Sequence, residues 1–359
     1  MKYLIYPILL CLMLFASCSD TQSARQTNPT KREKSYNSVY YWKTVFNPDT
    51  ADFAFIRRHD ISRMYLKIFD VMKDDRGLRT EDKAIPCATL KIDDWEVKEL
   101  QDSLGNMEFV PVVYITLDAL KVMKGNEGLF ARNMVTRVKN MSEYNKLPNV
   151  REFQLDCDWT VSTENTLFLL CDSVKRHIRD LGLGWKLSST IRLHQLARMA
   201  PPVDKGVLMV YNTGSFNNPD ASNSIIDARD VEPYLKHLPD YPLHLDVAYP
   251  TYSWQLLFRK RRFIGLLSGM DLSDTLRFTP EEGSRYIARR DIPYRDIIIR
   301  KGDMIRQETS DYESVYKVKT MIEKRLSGKP HSNIIYHLDS KNLSKYTSDE
   351  INNILKVNH

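Results

Sequence analysis

The chain has 359 residues, 52 basic and 46 acidic, for a formal net charge of +6. A hydrophobic fraction of 42% supports a packed core and excludes global disorder, and the small excess of Lys and Arg is spread along the chain, so no nucleic-acid-binding tract is indicated. Five Cys are too few for a small disulfide scaffold, and after residue 17 no apolar run nears the roughly 18 residues of a membrane span, which excludes a polytopic membrane protein.

The N-terminus reads as an address. Lys2 is followed by the apolar stretch Tyr3 to Phe15, interrupted by Pro7 and Cys11, and then by the small pair Ala16-Ser17. This is the pattern of a secretory signal, too short for a good spanning helix. Leu14-Phe15-Ala16-Ser17-Cys18 resembles a bacterial lipoprotein processing box, with Phe15 where Leu is usual. The resemblance implies cleavage before Cys18 and lipid, palmitate included, on its sulfur and amine. The alternative is an ordinary secretory signal with an incidental Cys. Residues from Ser19 to about Ser35 are polar and read as a flexible tether. The expected organisation is a signal over 1–17, a tether over 18–35 and a body over 36–359. The body would be membrane-anchored outside the cytoplasm, on the periplasmic face or the cell surface. It keeps Cys87, Cys157 and Cys171, an odd number that leaves at least one thiol unpaired.

Apolar runs of four to eight residues alternate with amphipathic stretches along the body. Val39 to Trp42 is the first predicted strand, Arg63 to Val71 the second, and Phe109 to Leu117 the third, followed by helix to about Asn140. Glu152 to Trp159 is the fourth, with a helix from about Glu164 to Leu181, and Trp185 to Arg192 is the fifth. Gly206 to Asn212 is the sixth, with a short helix near Val231 to Leu235, and Leu243 to Tyr249 is the seventh. Asn333 to Asp339 is the eighth, and Ser348 is expected to cap a last helix through Leu355. Between the seventh and eighth lie Tyr286 to Arg290, Asp296 to Arg306 and a helix from about Tyr312 to Leu326, with Lys301-Gly302-Asp303 as a hairpin turn. Two domains would fit the length, but eight strands alternating with helices predict an α/β fold, a (β/α)8 TIM-like barrel with a small β-rich insertion near 260–310. An open doubly wound sheet is the competing architecture; the Gly-rich turn it usually carries after its first strand is missing.

Strand side chains alternate between faces. In the fourth strand, apolar Leu155 and Cys157 face the helices, so Gln154, Asp156 and Asp158 point into the lumen. They sit at the carboxyl end, where barrel active sites lie. Paired acids there are candidates for acid–base chemistry. The structural alternative is a polar plug with Asp158 capping the next helix.

Asp156-Cys157-Asp158-Trp159 is similar to the Asp-x-Asp-Trp-Glu signature of family 18 glycoside hydrolases, the chitinase-like barrels. Met209-Val210-Tyr211-Asn212 resembles that family's Met-x-Tyr-Asp, with Asn in the Asp position, and the insertion sits where many such barrels carry one. The resemblance implies a carbohydrate ligand. It also implies a mechanism in which the substrate's acetamido group attacks and the Glu donates a proton. Here the Glu position is Thr160, whose hydroxyl cannot supply that proton near neutral pH. Losing positioned acid catalysis costs about 10²–10⁴-fold. Either another carboxylate serves, or the barrel binds glycan without cleaving it.

The same alternation sends His244 and Asp246 inward on the seventh strand and Ser188, Thr190 and Arg192 inward on the fifth. Lys67 is a further lumen candidate, and Asp70, Asp118 and Asp339 fall near strand ends. The catalytic candidates are Asp156, Asp158 and Asp246. Arg192 would hold substrate oxygens or neutralise the acids. Trp42, Trp159, Tyr211, Asn212, Tyr249 and Trp254 are the substrate-binding candidates, with Tyr252 beside them, because sugar C–H faces pack on aromatic planes. A charge-balanced structural core of Lys67, Arg192 and His244 against Asp156, Asp158 and Asp246 is the alternative. Metal-site spacings and a serine-hydrolase elbow are missing, so no metal and no cofactor are expected. Arg259-Lys260-Arg261-Arg262 is a basic run that would touch anionic lipid or glycan, or simply face solvent. The leading expectation is a lipid-anchored, extracytoplasmic barrel that handles an oligo- or polysaccharide, with no nucleic acid, by binding or by a diverged activity. The alternatives are an active glycoside hydrolase using Asp158 with Asp156 or Asp246, and a structural lipoprotein with an inert polar lumen.

Overall fold

The computed structural model describes residues 36–75, 77, 83–93 and 102–358. The signal segment, Cys18 and the tether through residue 35 lie outside the described residues. The chain runs from β1 (Asn37–Tyr41) through α1 (Thr50–Arg58) to β2 (Ile61–Lys73), which pairs antiparallel with β3 (Ala84–Cys87). Next come β4 (Glu108–Ile115), α2 (Leu117–Met123), α3 (Glu127–Tyr144), β5 (Glu152–Asp156), α4 (Glu164–Asp180), β6 (Lys186–Arg192) and β7 (Lys205–Met209). After α5 (Ala228–Val231) the chain enters β8 (Leu245–Pro250).

β1, β2, β4, β5, β6, β7 and β8 are joined by β16 (Asn333–Tyr336), which pairs with both β8 and β1 and closes a ring of eight parallel strands. The eight strands read from the sequence are the eight staves, and the fold is the (β/α)8 barrel. Alternation divides each stave. On β5, Phe153 and Leu155 join the outer core beneath the helices, while Gln154 and Asp156 face inward. The upper lumen is filled by Tyr40, Tyr65, Val112, Met209, Ile334 and Tyr336. Tyr40 and Tyr65 stack at 4.7 Å between centroids, and the Tyr40 hydroxyl donates to Gln154 Oε1 at 2.8 Å.

Between β8 and β16 the chain builds an insertion. It comprises β9 (Ser253–Arg259), β10 (Arg262–Leu267), β11 (Phe278–Glu281), β12 (Arg285–Ala288), β13 (Ile292–Tyr294), β14 (Ile297–Ile299) and β15 (Met304–Thr309). α6 (Tyr312–Leu326) then leads to β16, followed by α7 (Ser340–Leu343) and α8 (Ser348–Leu355). Two local expectations are corrected. Lys301-Gly302-Asp303 is a turn, with Gly302 at φ +84°, but it joins strands of different sheets: β14 pairs with β13, and β15 with β9 and β12. The cap of α8 is Thr347, not Ser348; Thr347 Oγ1 accepts from Glu350 N while the Glu350 carboxylate accepts from Thr347 N. That reciprocal arrangement satisfies two free backbone donors at once. The basic run forms the β9–β10 hairpin tip, where Arg259 binds Asp303 and Arg261 binds Asp220.

The lower end of the barrel is closed by charge. Arg63, Glu108, Glu152, Lys205 and Asp246 all come from the starts of strands. Arg63 lies 2.9 Å from Glu108 and 3.7 Å from Glu152, and Lys205 lies 3.2 Å from Glu152 and 3.0 Å from Asp246. Burial drives the Asp246 carboxyl up, but Lys205 and His244 outweigh it and hold Asp246 below the usual carboxylate range. Asp246 therefore contributes stability above its unfolded value, and that contribution fades as the pH falls toward acid. Breaking such a pair from one side leaves a buried charge uncompensated, at about 3–5 kcal/mol. Lys205→Met is expected to lose that much in urea denaturation at neutral pH. The gap to the wild type should narrow toward about pH 3, as the stranded Asp246 takes up a proton. A variant as stable as the wild type at neutral pH would contradict this role for the plug.

Candidate functional site

The other end of the barrel carries the candidate site. Asp156 is the last residue of β5 and is fully buried. One of its oxygens accepts from Thr190 Oγ1 at 2.6 Å and from Arg192 Nη2 at 3.0 Å. Two residues on, past the strand, Asp158 emerges with its side chain about half exposed, at 53%. Its Oδ1 accepts from Arg192 Nε. Arg192, the last residue of β6, thus spans both carboxylates, and its third nitrogen, Nη1, donates to the Tyr211 hydroxyl at 2.9 Å. Burial pushes the Asp156 carboxyl up, and Arg192 and Thr190 recover only part of that shift. Burial also works against the Arg192 cation, yet Tyr211, Asp156 and Asp158 more than compensate and keep it protonated.

Above this triad a cleft of about 570 Å³ opens at the carboxyl ends of the strands. Trp42 and Tyr114 stand on one side; Tyr211, Asn212 and His194 line the other, with Tyr336 and Asp70 completing the wall. Tyr336 stacks on Tyr211 at 4.5 Å and tilts against Trp42 at 5.8 Å, giving a continuous aromatic surface. Lys67 holds both oxygens of Asp70, at 3.0 and 3.3 Å, and sits 5.7 Å from the Trp42 ring centroid. Asn212 takes a left-handed conformation, φ +52°, which Asn tolerates better than most residues. Its Oδ1 accepts from the Tyr252 hydroxyl at 2.8 Å.

The loop beyond Asn212 is pinned by the insertion. Glu308 and Arg306 form a fully buried ion pair. Glu308 Oε2 accepts from Ser224 Oγ and Trp254 Nε1, each at 2.6 Å. Arg306 donates to the Asn218 carbonyl at 2.6 Å.

Six of the ten catalytic and substrate-binding candidates meet here, Asp156, Asp158, Arg192, Trp42, Tyr211 and Asn212, joined by Asp70. Four do not. Asp246 belongs to the lower plug, tied through Lys205 to Glu152. Glu152 lies four residues before Asp156 on β5, roughly 13 Å along a strand that rises about 3.3 Å per residue, so Asp246 cannot assist Asp156 or Asp158. Trp159 is buried against Phe168 of α4, with ring centroids 5.8 Å apart. Tyr249 alternates outward with Leu245 and Val247 into the helix-facing core. Trp254 serves the insertion, bound to Glu308. Proximity to a strand end named these aromatics; the face of the strand decides which of them reach the cleft. The same alternation identifies two that were missed, since Tyr114 follows inward Val110 and Val112, and Tyr336 follows inward Ile334. Asp158 caps no helix, because the N-cap of α4 is Thr163. Thr160 is drawn into the turn before α4, its Oγ1 within 3.0 Å of Ser162 Oγ and its backbone N–H bonded to Thr163 Oγ1. It does not line the cleft. Among the described residues, no group of three or more His, Cys, Asp or Glu is placed to hold a metal ion. Cys157 and Cys171 are buried free thiols, and Cys87 is a third, partly exposed.

No protein-family model and no curated protein matches the sequence. Solved structures do match in fold. A chitinase from Chromobacterium violaceum is 12% identical, with a TM-score of 0.50 over 89% of this chain and 98% of its own. A family 18 N-acetylglucosaminidase from Paenibacillus barengoltzii is 10% identical, with a TM-score of 0.50 over 90% of this chain and 100% of its own. A family 18 chitinase from Cycas revoluta, solved with (GlcNAc)4, is 8% identical, with a TM-score of 0.53 over 89% of this chain and 98% of its own. The barrel therefore has the fold of the family 18 glycoside hydrolases.

Arg192→Met should remove the one cation shared by both acids. Asp156 would stay buried with its pKa raised further, so the unfolded state would release that proton first, and stability should fall as the pH rises from about 4 toward 8. The expected loss at neutral pH is about 3–5 kcal/mol, read from thermal melts across that range. A pH-independent Tm equal to the wild type's would contradict the bridge.

Proposed function

We propose that this chain is a lipid-anchored, extracytoplasmic barrel that binds an oligo- or polysaccharide and does not cleave it by the family 18 route. The observation that carries the reading is Arg192 spanning Asp156 and Asp158 under an open aromatic cleft. Sugars offer alternating hydroxyls and C–H faces. Carboxylates and an arginine suit the hydroxyls, and Trp42, Tyr114 and Tyr336 suit the faces.

Hydrolysis needs a proton on the leaving oxygen. At the position where the family carries its acid, Thr160 offers a hydroxyl, and that hydroxyl is tied off in a turn. Asp156 is sealed beneath Arg192, and the Asp158 oxygen nearest the pair already accepts from a guanidinium. An oxygen so engaged is placed as an acceptor, not as a donor. The solved chitinase from Cycas revoluta holds (GlcNAc)4, which makes N-acetylglucosamine oligomers the first ligands to try. The inert-lumen alternative is disfavoured by the size and openness of the cleft.

Calorimetric titration of residues 36–359 with a chitooligosaccharide panel should give saturable binding, with the oligomers recovered uncut by mass spectrometry. Trp42→Ala should weaken it by roughly 5- to 30-fold, about 1–2 kcal/mol. Shortened products that vanish in Asp158→Asn would overturn the binding reading in favour of a hydrolase, and no binding by any glycan would overturn both. The anchor rests on Leu14 to Cys18. Radiolabelled palmitate should enter the full-length protein in a bacterial host and be lost in Cys18→Ser; labelling that persists in the variant would sink the lipoprotein assignment.

A further inference from the structure

The charge inventory of the cleft narrows the sugar, given the glycan-binding reading above. Asp70, Asp156 and Asp158 line the cleft, and the cations bound to them are Lys67 and Arg192, leaving three carboxylates against two positive groups. Each cation is already paired with a carboxylate. Lys67, itself buried, is spent on both oxygens of Asp70. Arg192 donates through Nε to Asp158, through Nη1 to Tyr211 and through Nη2 to Asp156. Lys43, adjacent to Trp42, is bound to Asp339 at 3.4 Å. Among the described residues, the remaining basic side chain in the wall is His194.

The acceptors, by contrast, are not exhausted. Asp158 engages the guanidinium through Oδ1 while its side chain stays half exposed to the cleft. The Tyr114 phenol is pushed up to about 12, by burial first and then by the Asp158 and Asp156 charges. A phenol resists ionisation where the surrounding potential is negative.

We propose that the cleft selects amino sugars that carry a free ammonium group, held by Asp158, over their N-acetylated counterparts, and that it rejects glycans bearing carboxylate or sulfate. An ammonium hydrogen-bonded to a half-exposed carboxylate adds a charge-assisted contact that an acetamido group cannot make. An acidic sugar meets carboxylates whose cations, among the described residues, are already paired, which costs affinity.

The test compares three tetrasaccharides on residues 36–359 at about pH 6, where the sugar amine is protonated: a glucosamine tetramer, its fully N-acetylated form and a hyaluronan fragment. The glucosamine tetramer should bind roughly tenfold tighter than the acetylated one, and hyaluronan more weakly than either. The preference should shrink as salt is raised. In Asp158→Asn the ratio between the glucosamine and acetylated tetramers should collapse toward one, and Asp118→Asn, outside the cleft, should leave that ratio standing. Acetylated tetramer bound as tightly as the free amine, or hyaluronan bound best, would overturn the selectivity while leaving glycan binding intact. If none of the three binds, the glycan reading itself fails and the selectivity falls with it.

Discussion

One interaction organises the working end of this barrel: a single guanidinium, Arg192, held between two carboxylates on the neighbouring stave. Strand alternation puts Asp156 inside, where water cannot solvate its charge, and puts Asp158 two residues further on, at the mouth. Without a cation between them, a buried acid would sit beside a half-exposed one at the end of the same strand. With Arg192 in place the acids become fixed acceptors, Tyr211 is drawn in as the third partner, and the cleft above takes a settled shape. The same bridge that makes the pair stable to carry makes it a poor proton source. The proposed binding without cleavage rests on this one geometric arrangement.

The two ends of the lumen use similar residues for different purposes. Below, Arg63 and Lys205 bind Glu108, Glu152 and Asp246 in a buried network. Above, the same ratio of three acids to two cations faces an opening, with Asp158 half exposed. A list of inward-pointing charges does not separate these two groups; position along the strand does. The insertion adds a further constraint. Its buried Arg306–Glu308 pair reaches across to Ser224 and Asn218, fixing the loop that follows Asn212 and hence one wall of the cleft.

Much of this was legible in the sequence, because a barrel stave writes its orientation in a two-residue period. Gln154, Asp156 and Asp158 against Leu155 and Cys157 announce the lumen, and Ser188, Thr190 and Arg192 repeat it on the next stave. What was not legible depends on which stave end a residue occupies and on tertiary partners. Asp246 alternates inward as expected, yet it opens its strand, so it meets Lys205 and not Asp156. Trp159 and Tyr249 lie near carboxyl ends but on the outer face. Trp254 belongs to an insertion whose sheet pairing no local pattern specifies. The turn at Gly302 was recognisable, but its partners were not: neighbouring segments that alternate well can still belong to different sheets. The motif similarity pointed to the family 18 fold, and Thr160 marked the departure from that family's signature.

The most direct measurement is a crystal structure of residues 36–359 with chitotetraose soaked into the cleft. The account predicts an uncut oligosaccharide lying on Trp42 and Tyr336, with Arg192 still joined to both Asp156 and Asp158. A sugar bound elsewhere, or an Arg192 swung aside so that Asp158 reaches a glycosidic oxygen, would contradict it.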